Sequence, residues 1–355
     1  SFHASTDRQL ISFTAPHNGI AVGRIIGEFI KQGHVHRIEC RLIREPVGVN
    51  GSLRFRKEVL LDGVKRKISE VIGAFNAVIF LPQMARIIEE GPAERRRYLD
   101  MLISQVSPRY VAHLNDYAQT LSQRNALLKQ LGERSGDPGQ LAVWDGMLAR
   151  HGAHIIRGRI QAIREVETEA KRLHFDLTHG REVLRLDYLP AYDPLAVSNG
   201  QMSLPVSTVA DRSGFSVEEI ETGLLVALRK LQGEEIARGV TTIGPHRDEL
   251  RFLSNQVDLG DYGSRGQGRT ALLAMKLAEV TWLQERTGEW PVLLLDEIMS
   301  ELDTGRRDDL LAALSACDQA ILTSTDLSMF ATDFVKSHPV WRVAAGMIKQ
   351  EMDEA

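Results

Sequence analysis

Gly263-Ser264-Arg265-Gly266-Gln267-Gly268, then a helical stretch, then Pro291-Val292-Leu293-Leu294-Leu295-Asp296-Glu297 and Ser300-Glu301-Leu302-Asp303: this segment decides the fold. A tight glycine-bearing turn leads into a helix whose first N–H groups have no intrahelical partner, and such a terminus suits a phosphate. The apolar run after it has the character of a strand buried on both faces, and it ends in two acids. A strand of that kind delivers carboxylates to its C-terminal edge, where α/β sheets bind their ligands and where a divalent cation can be held. The 355 residues contain no G-x-x-x-x-G-K-[ST], the loop that wraps nucleotide phosphates.

Outward from this segment the grammar past Gly239 is strand, turn, helix, strand, helix, strand, over 250–252, 270–287, 292–295, 306–316 and 320–323. That alternation predicts an α/β layer. Far upstream, 35–44, 52–60 and 77–81 alternate apolar and polar residues as strands do, with turns at 48–51 and Asp62-Gly63. Between these parts the period changes. Leu99, Leu102, Ile103 and Val106 mark a helix stopped at Pro108; Leu114, Tyr117, Leu121 and Leu128 mark a longer one. Trp144, Leu148, Ile155, Ala162, Val166 and Leu173 mark a third, with heptad-like steps that Gly152 and Gly158 interrupt, so a helical hairpin is expected rather than an extended coiled coil. Residues 178–215 are rich in turn residues, including Asn199-Gly200, around one strand at 182–188. Ser216 with Glu219 is a capping box opening a further helix that fades near Gly239. The expectation is an α/β head assembled from two sequence-distant parts, 1–90 and 240–355, with a mainly helical arm, 91–239, inserted between them.

Composition narrows the class. With 43% hydrophobic and 25% charged residues and a formal net charge of −4, the chain is an ordinary globular protein, without the overall basicity of a nucleic-acid tail. Cys40 and Cys317 have no C-x-x-C partner, so neither a disulfide framework nor a structural zinc site is expected. No apolar run approaches a membrane span and no export pattern opens the chain, which makes the cytoplasm the expected compartment. His34, His36, His151 and His154 have spacings that could suit a metal but no evident third ligand.

Four blocks stand out: Phe80-Leu81-Pro82-Gln83 with Glu90-Gly91-Pro92-Ala93-Glu94-Arg95-Arg96-Arg97-Tyr98-Leu99-Asp100; Ile103-Ser104-Gln105 with Pro108-Arg109-Tyr110 and Gln123-Arg124-Asn125; Gly244-Pro245-His246-Arg247-Asp248; and the 263–303 segment. Together they resemble the RecF family, SMC-like members of the ABC ATPase superfamily. The resemblance implies an ABC-type head with ATP and Mg²⁺ as cofactors. Asp296 would hold the metal and Glu297 would polarise the attacking water. Ser264, Arg265, Gly266 and Gln267 would form a signature turn that, with the D-loop residue Asp303, reaches a nucleotide bound to a second copy. Gln83 would be the Q-loop, and Thr323 and Thr325 would stand where other members place a switch histidine. Arg95, Arg96 and Arg97, opening a helix, are candidates for DNA phosphates or for an acidic partner inside the fold, and the outer face of the long helix offers Arg157, Arg159, Arg164, Lys171 and Arg172.

By the same resemblance the chain would act in replication and recombinational repair, binding single-stranded, gapped and duplex DNA as an ATP-dependent homodimer. It would work with RecO and RecR to load RecA and support the SOS response. The family's Walker A strand, loop and helix have no counterpart here, and Ser1 to Ile11 already resembles the segment after them, so an N-terminally incomplete chain is expected. The alternatives are a loop-less scaffold that binds DNA or RecR without hydrolysis, and another SMC-like chromosome-associated head.

Overall fold

The computed structural model describes residues 7–12, 15, 19–47, 52–134, 136–195 and 209–350. The turns expected at 48–51 and at Asn199-Gly200 lie outside them. The first sheet is an antiparallel meander of β1 (Ala21–Lys31), β2 (His34–Val47), β3 (Ser52–Leu61) and β4 (Val64–Arg66). Gln32-Gly33 and Asp62-Gly63 turn two of its hairpins with positive φ at both residues, the backbone that matches strand twist. β1 escaped the sequence reading because most of its side chains are exposed, so no in/out alternation marks it.

β5 (Ala77–Phe80) belongs to a different sheet. β6 (Leu184–Leu189), β7 (Glu249–Ser254) and β8 (Val257–Asp258) form a small antiparallel sheet. β9 (Val292–Asp296) pairs in parallel with β5 on one side and with β10 (Ala320–Thr323) on the other. Two strands from opposite parts of the chain thus share one sheet, in the register Phe80 with Leu295 and Thr323 with Asp296. A closing hairpin, β11 (Trp341–Ala344) and β12 (Met347–Gln350), completes the strands described.

The main helices are α1 (Pro92–Ser104), α2 (Pro108–Glu133), α3 (Leu141–Leu177), α4 (Val217–Arg238), α5 (Arg265–Thr287) and α6 (Thr304–Leu314). Pro108 does not merely stop α1; it occupies the first turn of α2, where its missing N–H is harmless, behind a Ser107 cap. The Ser216–Glu219 capping box forms, and Gly239 ends α4 in the left-handed conformation. α3 runs unbroken for 37 residues through Gly152 and Gly158. Each glycine costs a helix roughly 1 kcal/mol against alanine. Both lie where the helices meet closely: a Cβ at Gly152 would stand 3.0 Å from Leu224 Cδ2, and one at Gly158 3.0 Å from the Tyr110 ring.

α3 packs on α2, α4 and α5, and one hydrophobic cluster runs from Val78 through Leu148, Ile156, Leu224 and Leu283 to Leu310. Two buried ionic networks lie within it. Arg124 of α2, fully buried, donates to Asp145 of α3 at 2.7 Å and to Thr241 at 2.8 Å, and pairs with Glu235 of α4 at 2.6 Å. Arg159 of α3 donates at 2.7 Å to both the Pro245 carbonyl and Asp248, and at 2.8 Å to Asp100. Expected on the outer face, Arg159 is therefore buried, because its partners on α1 and before β7 close over it. Asp248 also accepts from Tyr188 Oη and the Ala191 N–H. The Gln123-Arg124-Asn125 and Gly244–Asp248 stretches thus hold α2, α3 and α4 to the sheet that contains β7.

Two outcomes test this packing. Arg124→Ala leaves two carboxylates buried without their cation and should lower the stability to urea by about 3–5 kcal/mol. A loss under 1 kcal/mol would show that the network is solvated. His246 lies between Tyr117 Oη, which donates to Nδ1 at 2.7 Å, and the Thr241 carbonyl, 3.2 Å from Nε2. Burial lowers its pKa to about 4. Because folding depresses that pKa below an unfolded value of about 6.5, the stability of the neutral ring is complete above that value and is lost as pH falls toward 4. The thermal midpoint should therefore drop between about pH 7 and 5, before unfolded carboxylates titrate, and His246→Gln should flatten part of that slope; His113, lowered to about 4 chiefly by burial, contributes to the rest.

Candidate functional site

The C-terminal edge of the parallel sheet gathers four of the predicted positions, Gln83, Asp296, Glu297 and Thr323. Asp296 ends β9, and the Thr323 hydroxyl at the end of β10 donates to its Oδ1 at 2.6 Å. Oδ2 has no hydrogen bond among the described residues. The Glu297 N–H donates to the same threonine oxygen at 3.2 Å. Glu297 sits at φ 54°, ψ 16°, a left-handed conformation that costs a non-glycine residue on the order of 1 kcal/mol. Ser300 holds that backbone by donating Oγ–H to the Glu297 carbonyl at 2.7 Å. The Glu297 carboxylate has no ion pair or hydrogen bond among the described residues, and it is half-buried. Strain at a carboxylate left available for other contacts is what active-site edges show. Thr325, two residues beyond β10, is exposed.

Gln83 lies in a short 3-10 turn (Pro82–Ala85) just after β5, so it leaves the same sheet edge, with its side chain exposed. Ser264 caps α5: its Oγ accepts from the Gln267 N–H at 3.2 Å, while Gln267 Oε1 accepts from the Ser264 N–H at 3.0 Å. Gly263 is required by close approach, since a Cβ there would stand 2.5 Å from the Leu259 carbonyl oxygen. Arg265 and Gly266 are exposed in the first turn, where helix N–H groups have no partner in their own helix. Gln267 is anchored by donating to Glu182 at 3.1 Å.

An ion pair joins the turn to the sheet edge, and one of its partners, Arg269, was given no role by the sequence reading. Arg269, in the first turns of α5, forms an ion pair with Glu301, two residues before Asp303. Arg269, Leu272, Leu273 and Lys276 of α5 share one small cavity with Pro82, Met84, Ile298 and Leu302. Arg307 donates to the Met299 and Leu302 carbonyls, fixing the intervening loop, and Asp303 caps α6 through the Arg306 N–H at 3.0 Å. The spacing of Ser264 to Arg269 and the acid within Ser300-Glu301-Leu302-Asp303 were visible in the sequence. Their pairing was not, because it depends on how α5 lies against the β9 edge.

The three arginines opening α1 separate. Arg95 makes a two-pronged bond to Glu249 at 2.7 and 2.8 Å, and Arg96 donates to the Asp248 carbonyl at 2.8 Å. Burial alone would raise the Glu249 pKa, yet the bonds from Arg95 hold it below the usual range. Arg95 and Arg96 therefore tie α1 to β7, and Arg97 alone of the three presents an exposed side chain. His113 comes to His151, 3.0 Å between their Nδ1 atoms, and stacks on His154, but no group of three or more His, Cys, Asp or Glu among the described residues is arranged to hold a metal. No described helix is long and apolar enough to cross a membrane.

This donor set suits a nucleotide–magnesium complex better than a dedicated metal cage. Mg²⁺ is ordinarily bound through one or two carboxylates, water and substrate phosphates, which is what the Asp296–Glu297 edge offers. No protein-family model matches the chain. It is 34% identical over 350 residues to the DNA replication and repair protein RecF of Lacticaseibacillus paracasei, spanning 98% of this chain and 86% of that protein. To the protein of the same name from Chloroflexus aurantiacus it is 36% identical over 358 residues, spanning 97% and 86%. Among solved structures it matches the recombination mediator protein RecF-ATPrS in the RecFOR pathway with a TM-score of 0.77 and 31% identity, over 99% of this chain and 84% of that one. It matches the corresponding RecF-ATP structure with a TM-score of 0.75 and 28% identity, over the same shares. The chain belongs to the RecF family of DNA replication and repair proteins.

Proposed function

We propose that this chain is an ATP-gated DNA-binding protein of recombinational repair, in which two copies close on nucleotide and clamp DNA. Asp296 is the residue that would hold Mg²⁺, with Thr323 orienting its carboxylate, and Glu297 is the general base for water. Ser264 and the free N–H groups of Arg265 and Gly266 would reach a phosphate held by the second copy, with Asp303 beside them. Gln83 and Thr325 complete the edge as metal- and phosphate-sensing positions. Arg97 remains the candidate of its trio for a DNA phosphate. The division into a head of 1–90 and 240–355 with an arm of 91–239 belongs to the same reading. So do action with RecO and RecR, delivery of RecA to single-stranded or gapped DNA, support of the SOS response, and a cytoplasmic location.

The observation that carries this is the join between the two phosphate-directed elements: Arg269 of the signature helix is paired with Glu301 of the loop that leaves the Asp296 edge. A structural carboxylate pair would need no such tether to a capped, exposed serine turn. The solved structures that this chain resembles are those of the recombination mediator protein RecF-ATPrS and RecF-ATP, which is in keeping with it.

Since no Walker A sequence occurs in these residues, the test compares the chain alone with one carrying a Walker A strand, loop and helix ahead of Ser1. The extended chain should dimerise on adding ATP and Mg²⁺, measured by light scattering, and the chain alone should not. ATP-dependent dimerisation by both would show that phosphate binding needs no such loop; by neither, that the clamp reading is wrong. In the extended chain Ser264→Arg should abolish dimerisation without lowering the thermal midpoint.

The tether makes a separate prediction. Arg269→Glu should weaken ATP-dependent dimerisation by roughly tenfold or more, and Glu301→Arg in the same chain should restore most of it, as expected for residues coupled in a pair. Loss without rescue by the swap would assign Arg269 to phosphate contact instead.

A further inference from the structure

β3, β4 and the turn after them form a basic groove that none of the roles above uses. Lys57, Lys65, Arg66 and Lys67 line one concavity of about 420 Å³, which Val111 and Asn115 of α2 help to close. Lys57 and Arg66 reach it from the sheet face that carries Val59 and Leu42; cross-strand register places Arg66 beside Val59 and Lys57 beside Leu42. One carboxylate, Glu58, stands among them, and Lys65 occupies it at 2.6 Å. Arg66 and Lys67 are exposed at the rim. The concentration of charge is local, since the whole chain carries a net −4.

We propose that this groove, where the antiparallel sheet meets the base of α2, is a contact surface for the phosphate backbone of duplex DNA. The inference rests on the DNA-binding reading above and names the surface that serves it. Its chemistry selects the partner. Clustered ammonium and guanidinium groups gain affinity from nucleic-acid phosphates by releasing condensed counterions. No aromatic side chain lines the groove, so it offers no platform on which unpaired bases could stack. Nor does it present a set of bidentate donors for base edges, which assigns it to positioning rather than to sequence readout. Single strands and base-specific contacts are thereby disfavoured against a paired backbone.

The test measures binding of a fluorescein-labelled random-sequence duplex by anisotropy across a salt series, for the chain as it stands and with Walker A residues and ATP supplied. Lys57→Gln, Arg66→Gln and Lys67→Gln are made singly and together. Each single change should reduce the slope of log affinity against log salt by about one, and the triple change should weaken duplex binding by roughly tenfold or more at physiological salt. The loss should be equal across duplex sequences and smaller for a single strand of equal length. The single variants keep the test valid should the triple variant unfold, which its thermal midpoint reports. Duplex binding with an unaltered slope in all variants would overturn this assignment while leaving the DNA-binding reading intact. Failure of the unmodified protein to bind duplex in any nucleotide state would overturn both. Loss of binding to polyglutamate but not to duplex would make the groove a site for an acidic protein partner and overturn the proposal.

Discussion

The parallel pairing of β5 with β9 is the constraint on which the rest of the molecule depends. It joins strands separated by the whole helical segment, with Phe80 beside Leu295. Closing so long a connection costs only slowly more entropy as its length grows, and the continuous core beneath it supplies the compensating burial. The consequence is positional. Residues that leave the C-terminal ends of β5, β9 and β10 emerge together, so Gln83, Asp296, Glu297 and Thr323 share one edge although nothing local in the chain relates them.

Buried ionic groups act as the joinery between the helices and that sheet. Arg124 links α2, α3 and the end of α4; Arg159 links α3 to α1 and to the segment entering β7; Lys276 and Tyr98 share Glu279 where α5 crosses α1. Compared with well-packed apolar residues such pairs add little net stability, because each charge must leave water. Removing one partner, however, strands the other in a medium that cannot solvate it, so every arrangement that separates them is penalised. Arg124, Asn125, His246 and Asp248, in two of the stretches that first suggested the family, thus have their partners within the fold.

What could be read from the sequence followed from how local its physics was. The capping box at Ser216, the apolar strand 292–295 and the turn at Asp62-Gly63 are decided within a few residues, and all appear as expected. β1 was missed because exposed side chains on both faces give it no polarity pattern. The glycines of α3 interrupt its apolar seam, and their purpose, room for Leu224 and Tyr110, lies in other helices. The inward turn of Arg159 and the pairing of Arg95 with Glu249 were equally invisible, since a run of arginines on a helix gives no sign of the acid that will meet it. At the site, residue types were legible, but the link from Arg269 to Glu301 and the bond from Thr323 to Asp296 came only with the packing.

The central claim is that each copy completes its neighbour's site, and mixing two inactive chains tests it most directly. One chain carries Ser264→Arg and the other Asp296→Asn, both in the Walker A-bearing form, and ATP hydrolysis is measured for each alone and for an equal mixture. In a mixed dimer one site receives an intact Asp296 from the first chain and an intact Ser264 from the second, so the mixture should recover activity that neither chain has alone, up to about a quarter of the unmodified rate. A mixture that forms dimers by light scattering yet stays as inactive as its components would mean that serine and aspartate serve the same nucleotide within one copy, and the shared-site account would fail.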